Sequence, residues 1–503
     1  MAAAVLIAIG AARIVTTYGV FWQTVDEPVT LAAGMEWLDR GTYTLDQTQP
    51  PLARVAVSVG PYADGRQSTE QFRAGALNEG NAILEQGGHY DRTLLLARAG
   101  VLPFFILSAF VVWLWARSIV GEGVAVVAVL IYTSLPIVLA HAGLATSDMT
   151  ITAMLTAYLF ALVRTMEAPS IARGVLTGVC AGAALLSNFS AVLFLPAGTI
   201  VVVAYYAWTH RSKVTGANTW APRLLGPAVI GAFVALLTIW TGYRFSPDAA
   251  PAFLAGIRSA LTNGAGALPN YFLGDVSTRG HMAFFPVAIL LKTPLAALAL
   301  AMAGLIAAFA AIFSGARKWE ARLPALLSAT LLLCMLTSNN DAGLRQLLPM
   351  FPLLAIAAAD GARSIMAQRQ RLAGRIVVGA LLAWLVVSSV MAHPDYLAYF
   401  NEAAGQHPER IFLRDDLDSG QDLKRLVSLV KQARIGSVSL AYFGSADPAR
   451  RGIIASPLAE SHPVTGFIAI SLWKRYAEEY SWLDRYAPVM TAGKSIWIYH
   501  ITY

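Results

Sequence analysis

Residues 94–116 read LLLARAGVLPFFILSAFVVWLWA, an apolar stretch interrupted by a single charge, Arg98. A helix needs about 20 predominantly apolar residues to cross the hydrocarbon core of a bilayer, so this stretch predicts a membrane span. Working outward, similar runs fall at about residues 2–22, 123–141, 144–163, 171–187, 189–208, 224–243, 290–313, 323–337, 345–361 and 374–392, giving about 11 candidate transmembrane helices. Composition agrees. Of 503 residues, 56% are hydrophobic and 13% charged, whereas a soluble domain carries roughly 25% charged residues. A disordered tail protein, a nucleic-acid binder and an ordinary soluble multidomain enzyme are excluded. Cys180 and Cys334 both lie in apolar runs, so neither a disulfide framework nor a thiolate metal site is expected.

The net charge of +7 reports topology more than partners. With a cytoplasmic N-terminus, the inside loops carry Arg117, then Arg164 and Arg173, then Arg211, Lys213 and Arg223. Arg317, Lys318 and Arg322 follow, and then Arg363, Arg369, Arg371 and Arg375, while the outside turns near 142–147 and 188 carry no Lys or Arg. This is the positive-inside pattern. The first run lacks a basic leader and a small-residue cleavage site before Asp26, and so reads as a retained span. The expected layout is a polytopic α-helical membrane domain over 1–392 and a soluble tail over 393–503. Two loops, 23–93 and 241–289, share the extracytoplasmic side with the tail. In the first loop, Arg66 to Gln86 reads as an amphipathic helix with Phe72, Leu77, Ile83 and Leu84 on one side. The tail reads as a small α/β domain: Leu423–Val430 is helix-like, and Ser437–Tyr442, Gly466–Leu472 and Ser495–Ile501 are rich in β-formers.

Charged residues stand where apolar runs meet these loops. In Val25-Asp26-Glu27-Pro28, proline suits the first position of a helix, which puts Glu27 at the cap and Asp26 just before it. A helix N-terminus favours an ionised carboxylate, so the motif reads either as a plain cap or as an anion able to accept a proton. Thr146-Ser147-Asp148 supplies a second acid at the same predicted face, and ionisable groups at membrane depth are functional suspects. Lys292, Arg345 and Arg54 add cations near that face. Arginine matches phosphate bidentately and lysine acts as a point charge, so the set suits an anionic headgroup. Glu36, His281 and His393 could join a metal site, but no HxxxH or comparable spacing supports one. No Walker loop or usable GxGxxG appears.

These residues resemble a family, the polyprenyl-phosphate-sugar-dependent glycosyltransferases that include protein O-mannosyltransferases and lipid A aminoarabinose transferases. The family 39, mannosyltransferase-like members are the narrower likeness. The resemblance is carried by Asp26-Glu27-Pro28 with Ala32-Ala33-Gly34, Pro50-Pro51-Leu52-Ala53, Thr146-Ser147-Asp148 and Tyr271-Phe272-Leu273-Gly274. It continues through Phe285-Pro286-Val287-Ala288, Leu291-Lys292-Thr293-Pro294, Arg345 to Pro349, His393 to Glu402, and Gly420-Gln421-Asp422-Leu423. Gln49, where many relatives have histidine, and Ser419, where tryptophan is common, depart from it.

The resemblance implies the GT-C fold, a lipid-linked sugar donor, an extracytoplasmic active site and catalytic roles for Asp26 and Asp148. Glu27, Arg54, Tyr271, His281, Lys292 and Arg345 are the candidate substrate contacts. No cofactor is required by this chemistry, with a divalent metal as the open alternative. The expected activity is inverting transfer of a sugar from a polyprenyl phosphate to a hydroxyl of a protein, glycolipid or glycan at a bacterial cell membrane. The alternative is a lipid-linked-sugar flippase or transporter, which would place charges nearer the bilayer middle.

Overall fold

The computed structural model describes residues 1–210, 220–262, 269–314, 319–336, 341, 343–367, 371–460, 462–478 and 480–502. Arg211, Lys213, Arg317, Lys318 and Arg369, named above as topology markers, lie outside the described residues.

The chain opens with α1 (Ala2–Val15) and then a loop region built from α2 (Glu27–Asp39), α3 (Pro51–Ala63) and α4 (Ala76–Glu85). The helical body follows: α5 (Tyr90–Ala99), α6 (Leu102–Val120), α7 (Glu122–Thr133), α8 (Pro136–Ala142), α9 (Asp148–Glu167), α10 (Ile171–Leu185), α11 (Ala191–Thr209) and α12 (Trp220–Gly242). A second loop region carries α13 (Ala249–Thr262) and a hairpin of β1 (Asn270–Phe272) and β2 (Asp275–Ser277). It leads into α14 (Phe284–Lys292), α15 (Leu295–Ser314), α16 (Leu323–Leu336), α17 (Met350–Met366) and α18 (Arg371–Met391).

Every predicted apolar run lies on a helix, but the count of 11 spans is not reached. Among the described residues, six helices are long and apolar enough to cross a membrane, or up to eight if α7 with α8 and α14 with α15 each count as one broken span. The helices α1 and α10 have 14 and 15 residues. At 1.5 Å per residue these are about 22 Å long, short of a hydrocarbon core of about 30 Å. The bends have local causes. Pro136 opens α8 after a 66° break, and Thr293-Pro294 separates α14 from α15 at 118°, because the residue before a proline is steered away from helical geometry.

Small residues let the first loop region pack closely. A Cβ on Gly34 of α2 would stand 1.9 Å from the Arg54 carbonyl oxygen of α3, so only glycine permits this approach. The expected single amphipathic helix over Arg66–Gln86 is instead a short 3-10 turn, Glu70–Ala74, followed by α4. Gly75, at φ +98°, breaks it. Ile83 and Leu84 are buried, whereas Leu77 is exposed.

The C-terminal region matches its β-rich pattern closely. A five-stranded mixed sheet runs in the order β4 (Ala455–Pro457), β3 (Val438–Ala441), β5 (Gly466–Ser471), β7 (Ile496–Ile501), β6 (Met490–Ala492). The first three strands are parallel and β7 is antiparallel to both neighbours. Helix α19 (Leu423–Gln432) buries Leu423, Leu426, Val427 and Val430, the i, i+3, i+4, i+7 stripe of an amphipathic helix.

The segment 393–402 straps the sheet region to the helices. Asn401 donates from Nδ2 to the Leu290 and Thr293 carbonyls at 2.6 and 2.7 Å, and its own amide bonds the Leu291 carbonyl at 2.8 Å. It thereby satisfies carbonyls left open where α14 ends. Tyr396 accepts from Arg13 Nε of α1 at 3.0 Å.

Candidate active site

The site begins at the entry to α2. Asp26 is the N-cap, with Glu27 and Pro28 the first helical positions, one residue earlier than the proline suggested. Glu27 is 1% exposed. Its carboxylate accepts from Arg98 Nε at 2.8 Å and Nη2 at 2.9 Å, from the Thr24 amide at 2.8 Å and from the Ala145 amide at 2.9 Å. Arg98 in turn donates to the carbonyls of Tyr18, Phe21 and Trp22. Burial would push the Glu27 carboxyl up, yet Arg98 overrides it and holds it below its ordinary range. Glu27 therefore ties the start of α2 to α5 and to the turn before α9, and it does not line the neighbouring cavity.

That tie places two acids around one cation. Arg345 stands in a 3-10 turn, Leu344–Leu347, whose first amide bonds the Asp416 carboxylate at 3.2 and 3.3 Å. Its Nη1 lies 2.5 Å from Asp26 Oδ2 and 3.9 Å from Asp148 Oδ2, and its Nη2 lies 3.2 Å from Asp415 Oδ2. Asp148, at the first turn of α9, also accepts from Thr146 Oγ1 at 2.9 Å. Burial favours the neutral form of Asp26, but the guanidinium of Arg345, with Arg414 farther away, holds the carboxyl below the usual range.

Asp26, Arg345 and Asp415 line a partly open cavity of about 260 Å³, with Asp148 just behind its wall. Thr24, Val25 and Asp26 form one wall, His141, Leu144 and Thr146 a second, and Leu397, Asp415 and Ser419 close it from the C-terminal region. The Val25 amide bonds the Ser419 carbonyl at 3.1 Å across that closure.

Sequence reading placed Asp26, Asp148 and Arg345 together, and they meet. Lys292 is 1% exposed and lies behind the closure. Its Nζ donates to the Leu397 carbonyl at 2.7 Å and to the Asp416 carbonyl, and it sits 4.5 Å from the centre of the Phe400 ring. It anchors the C-terminal strap and does not line the cavity. Nor do three other candidates. Arg54 is buried in α3 with Nε on the Pro50 carbonyl at 3.3 Å. Tyr271 packs beside Leu413, Leu417 and Trp473. His281 contacts Asp341 at 3.3 Å and Asp275 at 3.2 Å.

Two cavity residues escaped sequence reading. His141 is 2% exposed, and neither ring nitrogen has a hydrogen-bond partner among the described residues; Nδ1 is 3.6 Å from Asp148 Oδ2. A histidine inside the apolar run 123–141 was the available signal. Asp415 belongs to Arg414-Asp415-Asp416-Leu417-Asp418, where three acids in five residues adjoin the Gly420-Gln421-Asp422 motif.

Among the described residues no group of three or more His, Cys, Asp or Glu side chains is arranged to hold a metal ion, and the place where three carboxylates converge is filled by a guanidinium.

Helix α9 carries opposite charges at its two ends. Asp148 opens α9 and Arg164 stands in its last turn. Near Arg164, Arg173 Nη1 bonds the Arg164 carbonyl at 2.6 Å.

Six to eight of the described helices are long and apolar enough to cross a membrane, the pattern of a polytopic membrane protein. Residues 96–240 match the family described as dolichyl-phosphate-mannose-protein mannosyltransferase. No curated protein matches the sequence. Among solved structures, the chain is similar to ArnT from Cupriavidus metallidurans bound to undecaprenyl phosphate, with a TM-score of 0.52 and 13% identity, covering 99% of this chain and 97% of that one. The apo state of ArnT gives the same TM-score and coverage at 12% identity. The likeness at this identity is one of fold.

Proposed function

We propose that this protein is an inverting glycosyltransferase, moving a sugar from a polyprenyl-phosphate donor to an acceptor hydroxyl at the extracytoplasmic face of a bacterial cell membrane. The observation that carries the reading is the convergence of Asp26 and Asp148 on Arg345, in a cavity where the helical body meets the C-terminal region. The structural likeness to ArnT, which was crystallised with undecaprenyl phosphate, supports the class of donor.

The chemistry asks for two things. The acceptor oxygen forms a bond to the anomeric carbon as the bond from that carbon to the phosphate oxygen breaks. The polyprenyl phosphate leaves with the electron pair, and Arg345 stabilises the charge that grows on it. The acceptor proton goes to Asp26, held ionised for that purpose. Asp148, fixed by Thr146, and His141, with two unpartnered nitrogens, orient a sugar or acceptor hydroxyl. Lys292 adds positive potential from behind the strap. No step needs a covalent sugar–enzyme intermediate, and trapping a glycosylated Asp26 would refute this scheme. Water competes with the acceptor as a nucleophile, so a bound acceptor has to exclude it from the exposed side of Asp26.

The test is a panel of radiolabelled polyprenyl-phosphate sugars offered to purified protein with protein, glycolipid and glycan acceptors. Label transfer that disappears in Asp26→Asn, with donor binding retained, supports the reading. Movement of lipid-linked sugar across vesicles without transfer would replace it with the flippase alternative.

A further inference from the structure

Arg345 already faces more negative charge than it can neutralise. Three carboxylates, Asp26, Asp148 and Asp415, stand within 4 Å of its guanidinium, and the second nearby cation, Arg414, is 3.6 Å from Asp415. If Arg345 takes the donor phosphate, as the proposed function requires, a fourth anion must enter a partly open cavity of about 260 Å³. One carboxylate has to yield.

The three acids are not equally fixed. Asp26 begins a helix whose next residue, Glu27, is bound to Arg98 and Ala145. Asp148 sits in the first turn of α9 and accepts from Thr146 at 2.9 Å. Asp415 lies in an irregular segment of the C-terminal region, with φ +59°, a left-handed conformation that outside glycine is tolerated mainly by Asp and Asn. Its Oδ1 receives one long hydrogen bond, 3.3 Å, from Ser419. Its Oδ2 is buried and makes only ionic contacts, without an aligned hydrogen bond. Asp415 also lines the cavity itself.

We infer that Asp415 is a positioning residue that holds the Nη2 side of Arg345 until the donor arrives, and that the donor phosphate displaces its carboxylate from that place. The C-terminal region thereby supplies a built-in competitor for the phosphate. Displacement moves Asp415 and the attached Ser419 away from the cavity, which makes room for the headgroup next to Asp26. Asp416, one residue on, has a different task. Its carboxylate is engaged by Leu344 and lies near Lys292, so it secures the segment while Asp415 exchanges.

The inference rests on the proposed use of Arg345 as a phosphate ligand, and the experiment separates the two. Undecaprenyl phosphate, without a sugar, is titrated into detergent-solubilised full-length wild type, Asp415→Asn, Asp415→Gly and Asp415→Glu. Asparagine and glycine both accept a left-handed backbone, so either variant carries the test if the other does not fold. Removal of the competing carboxylate is expected to tighten binding about tenfold, the scale of one charge-assisted contact. Asp415→Glu returns the affinity toward wild type. In transfer assays, the donor KM falls in Asp415→Asn while kcat does not rise, a split that a merely structural role would not produce. Unchanged or weaker binding in folded Asp415→Asn and Asp415→Gly, beside normal wild-type binding, overturns the inference alone. Wild type that binds no undecaprenyl phosphate overturns the functional reading, and this inference with it.

Discussion

Nη1 of Arg345 lies 2.5 Å from Oδ2 of Asp26, joining residues 319 positions apart in the chain and making the acid and the cation one electrostatic unit. In the proposed reaction this unit has to divide when the donor binds. Asp26 side-chain atoms are 40% exposed while those of Arg345 are 18% exposed, so the carboxylate can be approached by an acceptor while the guanidinium stays embedded.

If Asp26 accepts the hydroxyl proton, Asp26→Asn loses general-base catalysis, typically about 10²–10⁴-fold, with donor affinity retained. Asp148→Asn keeps a hydrogen-bonding group on Thr146 and should lose less. The measurement is label transfer by both variants beside donor binding. A larger loss in Asp148→Asn would move the base to that residue.

The same pair controls the pH at which the site works. Burial raises the Asp26 carboxyl and Arg345 more than offsets this, so the base is ionised down to below the ordinary carboxylate range. Arg345→Gln removes the largest offsetting charge and leaves burial opposed chiefly by the more distant Arg414. The acid limb of kcat/KM should then move to higher pH, together with a loss of turnover. A limb that stays in place would mean that another group titrates.

Glu27 and Arg98 make a prediction about stability. Both side chains are 1% exposed, 2.8 Å apart, and the pair collects backbone groups from three segments. Removing one partner of a buried pair typically costs about 3–5 kcal/mol, because the other is left uncompensated. Glu27→Gln or Arg98→Met should therefore lower the Tm of the detergent-solubilised protein. The double variant should recover part of the loss, and strict additivity of the two single effects would show that the residues are not coupled.

How the sequence carried this information depends on range. The apolar helices were legible because lipid requires long apolar runs, although runs such as α1 and α10 were counted as spans and are too short. The C-terminal strands were legible because β-branched residues cluster there. Asp26, Asp148 and Arg345 were legible because a charge at the end of an apolar run is costly unless used. Lys292 obeyed the same rule and turned out to hold the strap, since a 118° bend at Thr293-Pro294 turns it toward Leu397 and Asp416. Pro294 reports a break there, but not its size or direction. Glu27 looked like a helix cap because its partner Arg98 is 71 residues away, inside the very stretch that announces the membrane fold. Asp415 was hidden for a similar reason: its role exists only once the C-terminal region is folded against Arg345.

Asp418 gives a final, independent test of the C-terminal region. It is fully buried, with its two oxygens accepting from the Gly420 and Trp473 amides at 3.1 Å each. Burial pushes its carboxyl up from the usual 3.8 to about 7, those two amides opposing. Between these values the folded protein binds a proton that the unfolded chain has released, so stability falls as pH rises from about 4 to about 7. The contribution of such a group is on the order of 4 kcal/mol. Thermal unfolding should therefore show a lower Tm at pH 8 than at pH 5 for this part of the molecule. Asp418→Asn cannot titrate, and its amide must turn a donor toward one of the two backbone amides. It should be less stable than wild type at pH 5 and show a shallower dependence on pH. An equal slope in wild type and Asp418→Asn would assign the dependence to other groups.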